Sequence, residues 1–256
     1  MTAEIELRSA RALSLAEYVE LFNAGYEGYV VPMHIDETGL AWMQDKLDFD
    51  LDASRIAYRD GEPVGFANLA VRGDEAWVGG VGVVMSARRS GVGEALMDAI
   101  HEQARKRGIK RVWLEVIVEN TGAFSLYEKL GYRTVQDVEV WTLPGVVGEP
   151  EGREVPPAEI QLPEKHEPWQ RADGTLANYD DVRGWVTDTG AMLFCVRLTS
   201  AQLQQYTGEP EPLIRALGTF KDVYVLNLPA GDPAAAVLRD LGGTVTVRQH
   251  EMVLEL

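Results

Sequence analysis

The chain is poor in the features that usually announce a compartment or a bound metal. It has one cysteine, Cys195, in 256 residues. One thiol excludes an internal disulfide and a cysteine-based metal cluster, so no metal site is expected. Cys195 sits in the apolar run Met192-Leu193-Phe194-Cys195-Val196 and reads as a small core residue, not a nucleophile. No apolar run reaches the roughly 18 residues a membrane-spanning helix needs. The opening MTAEIELRSA lacks a basic stretch followed by an apolar core, so no signal peptide is expected and the cytoplasm is the default. Positive charge is also scarce, with 24 Lys+Arg against 40 Asp+Glu and a net charge of −16. A nucleic-acid binder would carry a basic stripe, which argues against that class of partner. The deficit is even: residues 1–142 carry 15 basic and 23 acidic side chains and residues 143–256 carry 9 and 17, so each part is −8. Such a surface keeps a protein soluble and draws cationic small molecules or basic peptides.

What is present is concentrated in Val83 to Tyr132. A strand over Gly80–Met85 runs into Arg88-Arg89-Ser90-Gly91-Val92-Gly93, and a helix is expected from Glu94 with apolar Leu96, Met97, Ile100 and Ala104. It stops at Gly108 after the basic turn Arg105-Lys106-Arg107. His101 reads as a surface residue of that helix. A strand over Arg111–Val118 and a helix from about Asn120 to Leu130 follow, closed by Gly131. A loop that ends a strand and opens a helix aims several backbone N–H groups at one point, where the helix dipole welcomes a phosphate. Gly91 and Gly93 let backbone approach an anion without a Cβ in the way. Arg88 and Arg89 add charged donors. The loop lacks the Lys-Ser/Thr ending of a nucleoside-triphosphate loop and the full G-x-G-x-x-G of a dinucleotide fold. It spells R-x-x-G-x-G.

A second pattern follows at a fixed distance: Val116, Asn120, Ala123, Leu126, Tyr127, Leu130, Gly131, Tyr132, or V-x-x-x-N-x-x-A-x-x-L-Y-x-x-L-G-Y. Together the two patterns resemble the GCN5-related N-acetyltransferase (GNAT) superfamily over residues 4 to about 142. The resemblance implies an α/β (α+β) fold, a mixed, mostly antiparallel sheet flanked by helices. It implies acetyl-CoA as co-substrate, its pyrophosphate held by Arg88, Arg89, Ser90, Gly91, Val92, Gly93 and Glu94. It places the pantetheine arm along the backbone near Val81 and Val83, where that strand splays from the next. It places Asn120 on the same arm and makes Tyr127 the acid that protonates the departing thiolate. The spelling around Glu115 further resembles the ribosomal-protein alanine N-acetyltransferases, where a glutamate at that position is the base. The alternative for Glu115 is a solvated strand glutamate or a partner of Arg111 or Lys110, with Glu119 and His34 as reserve bases. In the family, the segment between the first two helices lines the acceptor pocket. That makes Tyr26, Tyr29, Met33 and His34 acceptor-side candidates, with packing as the alternative.

Along the chain, Ile5–Arg8 reads as a strand, and Ser14 with Glu17 as a capping box for a helix to about Ala24. Asp36 or Thr38 starts a helix to about Lys46. Strands over Ser54–Arg59 and Pro63–Val71 are joined by Asp60-Gly61, and Ala76–Met85 completes a meander. Gly79, Gly80 and Gly82 within it mark a bulge or a close backbone approach. Residues 143–168 hold six of the twelve prolines and read as a linker between a domain over 1–142 and a domain over 169–256. The second domain reads as a hairpin over Gly184–Thr187 and Ala191–Leu198, a helix over Pro212–Leu217, a strand over Val223–Leu228, a helix over Pro233–Leu241 and a strand over Thr244–Leu256. At an offset of 111 it repeats the first: Lys110, Val112, Trp113, Leu114, Ala123, Leu130 and Gly131 fall on Lys221, Val223, Tyr224, Val225, Ala234, Leu241 and Gly242. The functional positions are lost, since Tyr127 meets Leu238, Asn120 meets Gly231, and the glycine loop meets Leu198–Gln204. The expectation is a degenerate GNAT-like unit without its own cofactor site, completing a sheet, a dimer or the acceptor cleft. A second copy of the chain, in a homodimer, is therefore open as a partner.

The expected reaction is direct attack of a primary amine on acetyl-CoA. The acceptor is a peptide N-terminus or a small cationic amine, and the competing reading is a non-catalytic CoA-binding or interaction protein.

Overall fold

A computed structural model describes residues 4–145 and 150–256. Residues 146–149, inside the expected linker, lie outside the described part. The chain forms two compact units, residues 1–135 with 251–256, and residues 136–250. The composition places the boundary near 142, within a strand that runs from Arg133 to Pro144, and the last six residues belong to the first unit.

The first unit opens with strand β1 (Glu6–Ser9), helix α1 (Leu15–Gly25) and helix α2 (Glu37–Lys46). Ser14 and Glu17 form the capping box read from the sequence, and Asp36 caps α2 by accepting from the Gly39 amide. Strands β2 (Arg55–Arg59), β3 (Glu62–Arg72) and β4 (Glu75–Val83) make the antiparallel meander. Asp60 and Gly61, both at positive φ, close the tight β2–β3 turn. Helix α3 (Val92–Lys106) then leads to β5 (Arg111–Ile117), which pairs parallel to β4. Helix α4 (Thr121–Lys129) follows. The strand order is β1-β2-β3-β4-β5, with the chain's last residues beside β5, where the Leu256 amide donates to the Lys110 carbonyl.

Side chains alternate across this sheet as a period of two requires. Ala57, Ala67, Leu69, Val78, Leu114 and Val116 face α3 and α4 and pack with Leu96, Met97, Ile100 and Tyr127. Ile56, Tyr58 and Phe66 face α1, against Tyr18, Leu21, Phe22 and Leu40. Each fully buried aliphatic of this kind contributes about 1.5–3 kcal/mol. His101 corrects its expectation: it is 3% exposed, on the buried face of α3, where its Nε2 meets Tyr132 Oη at 2.8 Å. A polar residue followed by Glu102 suggested surface, but the helical period puts it one turn from Met97 and Ala104.

The second unit comprises the C-terminal part of β6 (Arg133–Pro144), β7 (Arg153–Val155), α5 (Asp173–Asn178), β8 (Val182–Val186), β9 (Gly190–Arg197), β10 (Ser200–Gly208), α6 (Pro210–Ala216), β11 (Asp222–Pro229), α7 (Pro233–Asp240) and the first part of β12 (Thr244–Glu255). Its strand order is β12-β6-β11-β10-β9-β8-β7. The stretch read as linker thus contributes an edge strand, with Val155 opposite Gly184. Proline-rich composition hid β7, because an edge strand tolerates prolines that a central one does not.

Strand β10, also absent from the sequence reading, resets the internal repeat. The offset of 111 holds from β5 onward: β5 and β11 begin at 111 and 222, and β6 and β12 span 133–144 and 244–255. Before that point it does not hold. Parallel pairing sets Glu75 opposite Arg111 in the first unit and Ser200 opposite Asp222 in the second. The interval is 36 residues in one and 22 in the other, so the second unit lacks 14 residues between its two parallel strands. The counterpart of the glycine loop is therefore the short Gly208-Glu209 turn ahead of α6, not Leu198–Gln204, which belong to the β9–β10 hairpin.

Candidate active site

The site begins where two parallel strands part. β4 and β5 pair over Glu75–Trp77 and Arg111–Trp113. Beyond them the β3–β4 register shifts, so that Gly80 faces Asn68 and Val78 faces Leu69 with Gly79 extra. A bulge of this kind bends its strand and raises its twist. A cleft of about 580 Å³ lies at this place, lined by Val78, Gly80, Val81 and Val83 from β4 and by Leu114, Glu115 and Val116 from β5. Gly80 has φ +152°, and a Cβ there would lie 2.7 Å from Tyr26 Oη, so the close approach admits no larger residue.

One end of the cleft is the glycine loop. Gly91, at φ +85°, is the residue before the first turn of α3, and space beyond its Cα is open. The helix begins at Val92, two residues ahead of the expected Glu94, because left-handed Gly91 turns the chain directly into the first turn. Arg89 also takes a left-handed conformation, φ 58°, which costs a non-glycine residue about 1 kcal/mol or more. Arg89, Gly93 and Glu94 line the cleft; Glu94 is paired with Lys129 of α4 at 2.6 Å. Val92 is buried in the core. Ser90 is not in the lining: its Oγ donates to the Ala87 carbonyl and accepts from Arg59 Nη2 at 3.0 Å. That brace on the back of the loop comes from β2, far from the loop in sequence, and no motif announced it.

Arg88 lines the cleft but points its donors inward. Its Nε donates to the Val83 carbonyl at 2.9 Å, and its Nη2 to the carbonyls of Gly25 and Glu27 at 3.0 and 2.6 Å. Hydrogen bonds from a charged group contribute about 1.5–3 kcal/mol each. A swing outward to a phosphate would forfeit several, so the structure makes Arg88 the tie between β4, the loop and the end of α1.

Tyr26, Tyr29, Asn120 and Tyr127 line the middle of the cleft. Asn120 caps α4 by accepting from the Ala123 amide at 3.2 Å, and its Nδ2 donates to Tyr29 Oη at 3.5 Å. Tyr26 and Tyr29 meet edge to face with centroids 5.1 Å apart. Tyr127 is 8% exposed, and burial, with Tyr29 nearby, raises its phenol pKa. Its proton therefore stays on across the physiological range. Met33 and His34, the other acceptor-side candidates, are exposed and outside the cleft lining. They follow the turn at Gly28, where the segment leaves the cleft for α2. Glu115 lines the cleft on β5 and accepts from the Trp77 indole N–H at 2.8 Å. Its strand ends at Ile117, one residue short of the expected Val118.

The arrangement offers an anion-binding helix start, a phenol that keeps its proton, a carboxylate across the parted strands, and β4 backbone groups released from the ladder. Among the described residues no group of three or more metal-ligating side chains occurs, and no helix is long and apolar enough to cross a membrane.

Comparison with known proteins agrees with this geometry. A ribosomal protein bS18-alanine N-acetyltransferase of Escherichia coli is 36% identical over 74 residues, 29% of this chain and 50% of that protein. The chain thus matches about half the length of that relative. An aminoglycoside N(6')-acetyltransferase type 1 of Salmonella typhimurium is 28% identical over 116 residues, 42% of this chain and 80% of that protein. Among solved structures, a tandem GNAT protein from the clavulanic acid biosynthesis pathway matches with a TM-score of 0.67 at 18% identity, over 98% of each chain. At that identity the likeness speaks for the fold, a GNAT unit followed by a second GNAT-like unit. The sequence profile of the acetyltransferase (GNAT) family matches residues 16–132, which contain every residue of the cleft. Residues 16–132 are therefore a domain of the acetyltransferase (GNAT) family.

Proposed function

We propose that the chain is an N-acetyltransferase that moves an acetyl group from acetyl-CoA to a primary amine by direct attack. The observation that carries this reading is the single cleft into which the parted β4 and β5 bring the glycine loop, Asn120, Glu115 and Tyr127. Acetyl-CoA, when bound, supplies the activated acyl group. The α3 N-terminus and loop amides from Gly91 to Glu94 hold its pyrophosphate, and the backbone at Val81 and Val83 pairs with its pantetheine arm. β4 amides released from the ladder polarise the thioester carbonyl. Glu115 takes the proton of the attacking amine. Tyr127, protonated at neutral pH as a phenol is, gives a proton to the thiolate. Arg88 holds the loop in shape.

The relatives are named for an alanine of a ribosomal protein and for the N(6') of aminoglycosides, and both names point to an amine acceptor. A chain with a net charge of −16 suits a cationic acceptor of either class. The second reading, a CoA-binding protein without turnover, is disfavoured by retention of both Glu115 and Tyr127 in the lining.

The test is isothermal titration with acetyl-CoA, beside the Gly91→Glu/Gly93→Glu double variant. One site per chain, lost in the variant, is the expected result. A screen of tetrapeptides with free N-termini, polyamines and aminoglycosides, read as thiol release, then separates the acceptor classes. Binding without release for any amine would favour the second reading.

A further inference from the structure

We infer that Trp77 is a positioning residue for the transfer, its indole N–H holding the Glu115 carboxylate at the cleft. The inference rests on the reading of Glu115 as base. Trp77 and Trp113 are the last opposed pair before β4 and β5 separate, and Glu115 lies two residues beyond Trp113, so all three side chains share one sheet face. That face is opposite the one on which Val78, Leu114 and Val116 pack against α3 and α4. Trp77 is buried, with its ring 6.0 Å from Phe49, and therefore has a fixed orientation. Its Nε1 donates to Glu115 Oε2 at 2.8 Å. A carboxylate on a strand at the edge of a cleft has two free torsions beyond its Cβ. One charge-assisted hydrogen bond from a rigid donor removes most of that freedom.

The second unit supplies an internal control. In register, Trp77 corresponds to Gln202, Trp113 to Tyr224 and Glu115 to Leu226. The strand pairing survives there, but indole and carboxylate are gone together. Gln202 keeps a donor at the indole's place, and its buried Nε2 has no hydrogen-bond partner among the described residues. The sheet therefore tolerates loss of the pair, and the pair accompanies the open cleft.

In the proposed step the amine nitrogen bonds to the acyl carbon as the carbon–sulfur bond breaks. The N–H proton goes to Glu115 and the sulfur takes the proton of Tyr127. Trp77 exchanges nothing and keeps the carboxylate aimed. Two readouts test this. First, the indole N–H signals are followed by ¹H–¹⁵N NMR against pH, the Trp77 signal being identified by its loss in Trp77→Phe. It should shift with pH in the wild type and stop shifting in Glu115→Gln. A Trp77 signal indifferent to Glu115→Gln overturns the inference without reference to turnover. Second, kcat and KM are measured across pH with an acceptor found in the amine screen. Glu115→Gln should lose at least 100-fold in kcat. Trp77→Phe should lose about ten-fold in kcat with KM for acetyl-CoA unchanged, and its acidic limb should move to higher pH. A Trp77→Phe profile that overlays the wild type sinks the inference while leaving Glu115 as base. Full activity in Glu115→Gln sinks the base assignment itself, a distinct outcome.

Discussion

The two units part their parallel strands in the same way and fill the gap differently. In the first, β4 and β5 separate after Trp77 and Trp113, and an open cleft follows. In the second, β10 and β11 separate after Leu203 and Val225, and protein follows. The segment ahead of α5 is bonded to both strands just past that point. Gln205 of β10 donates to the Arg171 carbonyl at 2.7 Å, and Asn227 of β11 donates to Gln170 at 2.9 Å. Arg171 is fully buried, with its Nε on Glu167 at 3.1 Å. The second unit has also lost 14 residues that in the first make the glycine loop and lengthen α3. A parted pair of strands leaves backbone polar groups without ladder partners, and buried ones must find others. In the first unit this region lines an open cleft; in the second, Arg171 Nη1 donates to the Leu226 carbonyl of β11 at 3.5 Å.

That contrast can be broken from the plugged side. Arg171→Ala leaves Glu167 with Lys165 at 2.9 Å as its remaining cationic partner, so the loss falls below the roughly 3–5 kcal/mol of a buried charge stripped of every partner. Urea unfolding should show the loss, while acetyl-CoA titration should still give one site and no second. The double variant Arg171→Met/Glu167→Leu should recover most of the stability, since apolar replacement of a buried pair is often neutral. A second site appearing in either variant would mean that the plug alone closes the second cleft and the missing 14 residues do not matter. From the open side, Tyr127→Leu installs what the second unit has at Leu238, and Tyr127→Phe removes only the hydroxyl. Tyr127→Phe should lower kcat by about 10²–10³ with little change in KM for acetyl-CoA, as expected on losing a general acid. Equal turnover in wild type and variant would remove Tyr127 from the chemistry.

How much of this was legible in the sequence follows from which interactions are local. The glycine loop, the Ser14 capping box, the Asp60-Gly61 turn and the α4 start near Asn120 are each set by residues a few positions apart, and each was read in place. The GNAT resemblance rests on such local spellings. Long-range partners left no local trace. Arg59 reaches Ser90 across 31 positions and Trp77 reaches Glu115 across 38, so neither brace had a pattern to announce it. Arg88 spelled a phosphate ligand by its spacing, but its guanidinium is bonded to carbonyls up to 63 positions away. Strand β10 was missed because the alternation of SAQLQQYTG breaks at the bulge around Gln204, and its glutamines suggest an exposed segment although Gln204 and Gln205 are buried. Without β10 the repeat could only be aligned with one uniform offset.

The first unit also carries a buried base that the second lacks. His101 ordinarily titrates near 6.5; burial, with Arg105 nearby, lowers it to about 4. Between those values the unfolded chain binds a proton at His101 that the folded chain refuses, so stability falls as pH falls through that window. The loss approaches about 3 kcal/mol below pH 4. His101→Gln, which keeps a partner for Tyr132, should flatten the curve of urea midpoint against pH in that range. Parallel curves for the two proteins would show that His101 is protonated in the fold.

The smallest effect belongs to the lone thiol of the second unit. Cys195 on β9 is half-buried, and burial pushes its thiol up to about 12, with Gln204 opposing. At pH 8 the thiolate fraction is then on the order of 10⁻⁴, and the thiolate is the reactive form. An aromatic disulfide reagent at pH 8 should modify the native chain slowly and the urea-unfolded chain at once. Cys195→Ser should leave acetyl-CoA affinity and turnover within error of the wild type. The two units make opposite use of burial here. In the first it keeps a proton on Tyr127 beside an open cleft. In the second it keeps a proton on Cys195, which is not part of the lining of the cleft. A native chain that reacts rapidly, or a serine variant with altered turnover, would show that the second unit opens far enough to reach β9, and the contrast between an open and a closed unit would fail.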